Sequence, residues 1–374
     1  MELTKTKRLL ALDVLRGITV AGMLLVNYTG DGSYVYRPLV HAAWNGLTPA
    51  DLVFPFFMFI MGVSMYFSMS KFDEGLNGRA VWKILRRSLL MLAVGLGLAF
   101  ALKWFKHADS VRLLGVVQRL AIAYCGAALI AQAMRHKHLL WVSAAILVAY
   151  GVALLVGNGY SLSADNIISV VDRAVIGEKF LYAQRLADGS SIPFDPEGLM
   201  STLPCFAQVL LGCQVGKMIK ERPDNGAKLN ALFIFGTILL FAGLLLQYGL
   251  PINKRVWSPT YVLTTCGFAS LLLALLIWII DIKGHKRWTT FFEAFGVNPL
   301  FMYVVGSLMG MFCMFVPLGL GGENLTLRAF MFNDVWLPLV GNPYFASLLY
   351  SLCFVIVVWL LGYVLYRRRI YIKI

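Results

Sequence analysis

His41-Ala-Ala-Trp44-Asn-Gly-Leu-Thr48-Pro-Ala-Asp51-Leu-Val-Phe-Pro-Phe-Phe57 runs from a polar mouth into an apolar segment that continues to about Ser70. An apolar run of about twenty residues is the length that crosses a bilayer core as a helix. Ionisable side chains beside hydrocarbon are costly, so His41 and Asp51 at the mouth of such a helix mark a candidate site. Thr48-Pro49-Ala50-Asp51 also reads as a helix start: threonine caps, proline opens the first turn, and the aspartate reaches back.

Outward from this stretch the same kind of run recurs. Ten spans are predicted, at roughly 8–28, 50–70, 83–102, 112–134, 139–157, 199–219, 229–249, 259–281, 291–316 and 346–366. Hydrophobic residues make up 59% of the 374 positions and charged residues 14%, with a mean hydropathy of +0.73. Soluble domains lie nearer half apolar and a quarter charged. The sequence therefore predicts an all-α polytopic membrane protein: one transmembrane domain over 1–374, built as a bundle of about ten helices. The first run carries Asp13 and Arg16 and lacks a small-residue cleavage site, so no cleavable signal is expected. Asn298-Pro299 predicts a break in the ninth run, with Phe291–Val297 at the membrane interface.

The net charge of +14 follows topology rather than nucleic-acid binding. Basic residues cluster at alternate connections: Lys5/Lys7/Arg8, Lys71/Arg79/Lys83/Arg86/Arg87, Arg135/Lys137, Lys217/Lys220/Arg222/Lys228, Lys283/Lys286/Arg287 and Arg367/Arg368/Arg369. The positive-inside rule assigns these connections, and both termini, to the cytoplasm. The outer segments are then 29–49, 103–111, 158–198, 250–258 and 317–345. The 158–198 connection reads as a long solvated loop of mixed charge, including Asp172 and Asp188, without evident structure of its own. The six cysteines lie in or beside apolar runs and form no metal-type spacing, so neither disulfides nor a metal is expected.

Among residues able to do chemistry, His41 leads. Histidine transfers protons near neutral pH and can also accept an acyl group. Of the other histidines, His136, His138 and His285 sit in basic clusters, and His107 lies beside Lys103 and Lys106. Asn27 ends the first span and can cap it or polarise a carbonyl. Asp51 can orient His41 or bind substrate, and it can equally serve the helix dipole. Trp44, Asp195 and Glu197 are further substrate-binding candidates, and Asp195-Pro196-Glu197-Gly198 reads as a cap for the sixth span. Arg16, paired three residues on from Asp13, and Arg119, inside the fourth span, are candidates for an anionic cofactor's phosphates.

Seven segments then resemble one family. Leu12-Asp-Val-Leu-Arg-Gly17, Val26-Asn-Tyr28, the His41–Pro55 stretch, Gly115-Val-Val-Gln-Arg-Leu120, Asp195-Pro-Glu-Gly198, Gly212-Cys-Gln-Val-Gly-Lys217 and Pro251-Ile-Asn-Lys-Arg-Val-Trp257 are similar, in order and spacing, to the heparan-α-glucosaminide N-acetyltransferase family. The resemblance implies a transmembrane acyltransferase that takes acetyl from cytosolic acetyl-CoA and places it on the amine of an extracytoplasmic glucosamine-type sugar. It puts the family's catalytic histidine on His41 and the neighbouring asparagine on Asn27. The implied partners are acetyl-CoA, a small-molecule sugar acceptor and the lipid bilayer, with no nucleic acid; a homodimer is compatible. A bacterial inner-membrane location is expected. Unlike the animal enzymes, the sequence has no large amino-terminal outer domain and no cysteines in its outer loops, which leaves the acceptor open among amino sugars. Two other classes fit the same pattern: a sugar permease, and an O-acyltransferase of periplasmic glycans.

Overall fold

The structure is a computed structural model, described over residues 9–70, 75–186, 189–318 and 325–372. Lys5, Lys7, Arg8, Lys71 and Asp188, named above, lie outside the described residues.

The long helices are α1 (Leu10–Asn27), α2 (Val53–Met69), α3 (Gly78–Lys106), α4 (Val116–Ala133) and α5 (Leu139–Val156). After the short α6 (Ile167–Ile176) come α7 (Leu203–Glu221), α8 (Asn225–Leu246) and α9 (Pro259–Leu276). The chain ends with α10 (Thr289–Val297), α11 (Pro299–Phe315), the four-residue α12 (Leu327–Phe330) and α13 (Leu337–Val340), and α14 (Pro343–Arg367). Among the described residues nine helical segments are long and apolar enough to cross a membrane, and the pair α10/α11, bent by 88°, makes a tenth if counted as one span. The break falls at Asn298-Pro299, where proline removes a backbone donor and disfavours helix at the residue before it.

Burial sorts the helices into two shells. In α7 and α2, 72% and 67% of the spanning window is buried, against 17% in α3 and 22% in α8. The outer helices display Trp104, Trp141, Phe233, Ile238 and Leu245 to the surroundings. An apolar belt of this extent suits a hydrocarbon solvent and not water. The inner pairs approach closely where side chains are missing. A Cβ on Gly62 of α2 would lie 2.1 Å from the Val209 carbonyl oxygen, and one on Gly212 of α7 would lie 2.2 Å from that of Phe59. Between α1 and α10 the same contact recurs, with Gly17 against the Phe292 carbonyl oxygen at 1.9 Å and Gly296 against that of Asp13 at 2.0 Å. Small residues at such crossings replace the hydrophobic drive that lipid does not supply.

The five connections predicted as outer gather at one end of the bundle. Gly46 N donates to Ile252 O, Leu113 N to Phe180 O, and Tyr34 stacks on Phe332. The opposite end, where α1 begins and α14 finishes, ties the remaining connections together. There Gln214 donates to His136 O, Lys220 to Ser70 Oγ, and Asn298 holds the backbone of Ile370 and Ile372.

Two expectations need correction. The 158–198 connection is built, not structureless: it contains α6 and an antiparallel hairpin of β1 (Ala183–Arg185) and β2 (Ser191–Pro193), with Gln184 opposite Ile192. Asp195 does not cap the sixth span. Its Oδ1 accepts from Glu197 N, closing a turn ahead of the helix, while the Met200 N–H at the helix entrance donates to Asp172. The carboxylate serving that entrance comes from a distant helix, which local sequence does not reveal.

Candidate active site

Asp51 is the centre of the site. The turn Pro49–Asp51 leads into α2 and buries its carboxylate completely. Asp51 Oδ2 accepts from Ala42 N at 3.1 Å, Thr48 N at 3.1 Å and Thr48 Oγ1 at 3.0 Å. Asp51 Oδ1 faces His41 Nδ1 at 2.8 Å and Lys254 Nζ at 3.3 Å. The Tyr261 hydroxyl donates to the Asp51 backbone carbonyl at 2.7 Å. Donors thus surround both oxygens, the arrangement under which a buried carboxylate stays charged.

His41 inherits its orientation from this anion. With its hydrogen on Nδ1, directed at Asp51, the ring presents Nε2 as a base. Its side chain is 42% exposed, so the ring can be reached from outside while Nδ1 is fixed by Asp51. Lys254 Nζ lies 3.0 Å from Nδ1 and 3.4 Å from Nε2.

A second charged group flanks the first. Arg112 donates through Nε to Asp195 Oδ2 at 2.8 Å and through Nη2 to both Asp195 and Glu197. Its guanidinium also lies over the Tyr182 ring. Burial opposes the charge on Arg112, yet Glu197 and Asp195 hold its pKa above the usual arginine value. Burial likewise opposes the Glu197 anion, and Arg112 outweighs it and keeps that carboxyl below the usual range. Lys254 also feels Glu197, which joins the two groups electrostatically.

The loop that carries Lys254 is rigid for identifiable reasons. Asn253 donates to Asn45 Oδ1 at 3.0 Å and accepts from Arg255 N and Val256 N. Trp257 adopts φ +52°, a strained conformation for an aromatic residue. Its surroundings impose it: the indole donates to Gln208 Oε1 at 2.9 Å, Phe54 and Tyr261 pack on the ring, and Arg119 lies over it at 4.9 Å.

Other candidates fall into distinct places. Asn27 closes α1 with an exposed side chain that makes no hydrogen bond to the described residues. Its neighbour Tyr28 lines a cavity of about 400 Å³ shared with Arg112, Tyr182, Tyr303 and Ser307. Trp44 is a brace: its indole donates to Tyr160 O at 2.7 Å and its ring meets Phe194 edge-on. Arg119 is buried and donates to Pro196 O, Gly198 O and Ser201, so its guanidinium clamps the segment before α7. Arg16 alone of the two cofactor candidates lines a cavity at the opposite end. That cavity, about 510 Å³, is also lined by Asp13, Ser64, Lys220, Arg222 and Lys228. Arg16 is steadied there by Asp13 at 3.0 Å, Gly296 O at 3.1 Å and Ser64 Oγ at 2.7 Å.

Sequence reasoning did not single out Lys254 or Arg112. Both lie in or beside segments predicted as outer, which also hold Arg37, Lys103, Lys106, Arg173, Lys179, Arg185 and Arg255, so charge alone does not mark them; the Pro251–Trp257 segment of the family resemblance was the signal that pointed toward Lys254.

Residues 8–248 match the family described as heparan-alpha-glucosaminide N-acetyltransferase, catalytic. The heparan-alpha-glucosaminide N-acetyltransferase of Mus musculus is 29% identical over 362 residues, covering 80% of this chain and 53% of its own. That of Homo sapiens is 29% identical over 425 residues, covering 98% of this chain and 60% of its own. The chain therefore spans between about half and three-fifths of the length of these curated relatives.

Proposed function

The chain belongs to the heparan-α-glucosaminide N-acetyltransferase family through its catalytic region, and from that membership we propose that it moves acetyl from acetyl-CoA to the amine of a glucosamine-type sugar across a membrane. The observation that carries this reading is His41, held through Nδ1 by the buried Asp51, with a side chain that is 42% exposed.

The end bearing α1's start and α14's finish is read as cytoplasmic, because Lys83, Arg86, Arg87, Lys217, Lys220 and Arg222 concentrate there. The His41 end then faces outward, into the periplasm if the membrane is a bacterial inner membrane. The chemistry of the cavity at the cytoplasmic end suits coenzyme A. Arg16, Lys220, Arg222 and Lys228 would hold phosphates, and Leu9, Leu12 and Phe67 supply apolar walls. Helix α1 is a wall common to both ends: the eleven steps from Arg16 to Asn27 rise about 16 Å, a distance a long flexible thioester arm can bridge.

Acetyl-CoA, a substrate here, supplies an activated thioester. Asn27 would donate its amide N–H to the thioester oxygen as negative charge gathers there. His41 Nε2 would take the proton that the attacking amine nitrogen sheds. The nitrogen pair forms the C–N bond, the C–S bond breaks, and its electron pair leaves on sulfur. His41 then returns the proton to that thiolate, so that amine and thioester become amide and thiol. Glu197, whose side chain is 19% exposed, would face the sugar's hydroxyls, with Arg112 and the buried Asp195 holding it in place.

The reading is tested with purified protein in nanodiscs, acetyl-CoA and glucosamine, following thiol release and acetylated product. His41→Ala is expected to lower turnover about 10²–10⁴-fold while coenzyme binding persists. Absence of turnover across a panel of amino sugars that nonetheless bind would replace the reading with a permease. O-linked product would make the enzyme an O-acyltransferase.

A further inference from the structure

Two ionisable groups converge on one anion. Asp51 Oδ1 lies 2.8 Å from His41 Nδ1 and 3.3 Å from Lys254 Nζ, and its other oxygen is occupied by Ala42 and Thr48. The carboxylate carries one negative charge, whereas His41 and Lys254 can each carry a positive one. Lys254 Nζ is only 3.0 and 3.4 Å from the two ring nitrogens, so both cannot be charged without strong repulsion.

We propose that Lys254 is a positioning residue of the transfer reaction: its ammonium is the resting partner of Asp51, and it thereby holds the His41 imidazole in the neutral, proton-accepting form.

The idea rests on the acetyl-transfer reading for its catalytic meaning and on the geometry alone for the coupling. Without Lys254, the His41–Asp51 pair would be an acid–anion couple that favours imidazolium, which is no base. With Lys254 in place, the Asp51 charge is already answered. Burial is the largest influence and takes the Lys254 amine below the usual lysine range, while Asp51 and then Glu197 favour the ammonium and Arg255 opposes it. These are the charged groups facing the lysine: Asp51 from the turn before α2, Glu197 from the segment before α7, and Arg255 from its own loop, with Arg112 tying down Glu197. Rigidity supports the assignment as well. The loop backbone is held by Asn253 to Asn45 and by the enforced conformation of Trp257, and the contact with Asp51 Oδ1 places the ammonium.

The test separates the coupling from the reaction. Diethyl pyrocarbonate acylates neutral imidazole and not imidazolium, and His41 is open enough to be reached. Its modification rate, followed by peptide mass mapping across pH, reports the His41 protonation midpoint whether or not acetyl transfer occurs. In Lys254→Met the midpoint is expected to rise by about one pH unit or more, and the acid limb of kcat/KM should rise with it. Lys254→Arg, which keeps the charge, should stay near wild type. Asp51→Asn, which removes the shared anion, should move the midpoint downward, so the coupling stays measurable if the methionine variant does not fold. A midpoint unchanged in Lys254→Met, even with turnover lost, would reduce Lys254 to a packing role and overturn the proposal. Failure of wild-type turnover with these midpoint shifts intact would sink the acetyl-transfer reading instead.

Discussion

Asp172 is a fully buried carboxylate whose Oδ2 meets no hydrogen-bond donor among the described residues, although Oδ1 accepts from Met200 N at 3.0 Å. Burial pushes its carboxyl up to about 6, against the pull of the Met200 N–H, and Asp195 adds to the rise. The folded protein therefore holds this proton more tightly than the unfolded chain, whose aspartates titrate near 4. Its contribution to stability is greatest below about pH 4, declines as pH rises through about 6, and is level above; the whole change is roughly 3 kcal/mol. Glu197 acts oppositely and in another window, since its lowered carboxyl stabilises the fold above about pH 4.3 and that contribution is lost on further acidification. Asp172→Asn should consequently gain in melting temperature relative to wild type between pH 4.5 and 7 in detergent, whereas a gap constant with pH would contradict the ionisation account. The legibility of single residues divides along the same line. His41, Asp51, Asn27 and Glu197 announce themselves as polar groups at a helix mouth. What Trp44 and Arg119 touch does not, because their partners, Tyr160 O and the Pro196–Ser201 segment, lie 116 and at least 77 positions away. Sequence supplies their chemistry and leaves out the fold that turns one into a brace and the other into a clamp.

Elements were legible to the extent that hydropathy alone defines them. Apolar runs predicted ten spans, and α1, α4, α5 and α9 begin or end within a few residues of expectation. The third span was the largest misjudgement: α3 extends over Gly78–Lys106 because Asn77 caps it through Ala80 N at 2.8 Å and basic residues continue the helix beyond the hydrocarbon. Hydropathy marks where lipid ends, and a cap marks where a helix ends. The 158–198 segment was underestimated for the converse reason, since α6 and a hairpin of two three-residue strands carry too little periodicity to stand out. Pairing between helices was readable only in hindsight from the glycine spacing. At the α2–α7 crossing a Cβ on Gly212 would meet the Phe59 carbonyl oxygen at 2.2 Å, and backbone cannot move aside as a side-chain tip can. Gly212→Ala is therefore expected to destabilise the bundle by about 1–3 kcal/mol, read as a lower melting temperature in detergent. Gly97→Ala serves as the control, because a Cβ there meets nothing within 4 Å; equal effects of the two would remove close packing as the cause.

Across the whole molecule, charge and chemistry are divided between two ends. One end gathers the cations Arg16, Lys220, Arg222 and Lys228 around a cavity. The other gathers His41, Asp51 and Lys254 beside Arg112, Asp195 and Glu197. The first end sets four cations around one cavity, with Arg16 held by Asp13, and the second sets a histidine against a buried carboxylate. Helix α1 runs between them, and its close glycine contact with α10 fixes Arg16 and Asn27 on one rigid rod. This division predicts how the two substrates respond to mutation. Replacing Lys220 and Arg222 with Gln should raise KM for acetyl-CoA by about tenfold per lost phosphate contact, since charge-assisted contacts contribute about 1.5–3 kcal/mol, and leave KM for the sugar alone. It also predicts sidedness. In sealed proteoliposomes with the protein in one orientation, acetyl-CoA supplied to the basic end should acetylate glucosamine confined to the His41 end. Reversing the two compartments should abolish product, because coenzyme A is too anionic to cross hydrocarbon. Equal product from both arrangements, in vesicles shown not to leak, would mean that donor and acceptor meet from one side, and the division of charge between the ends would then require another explanation.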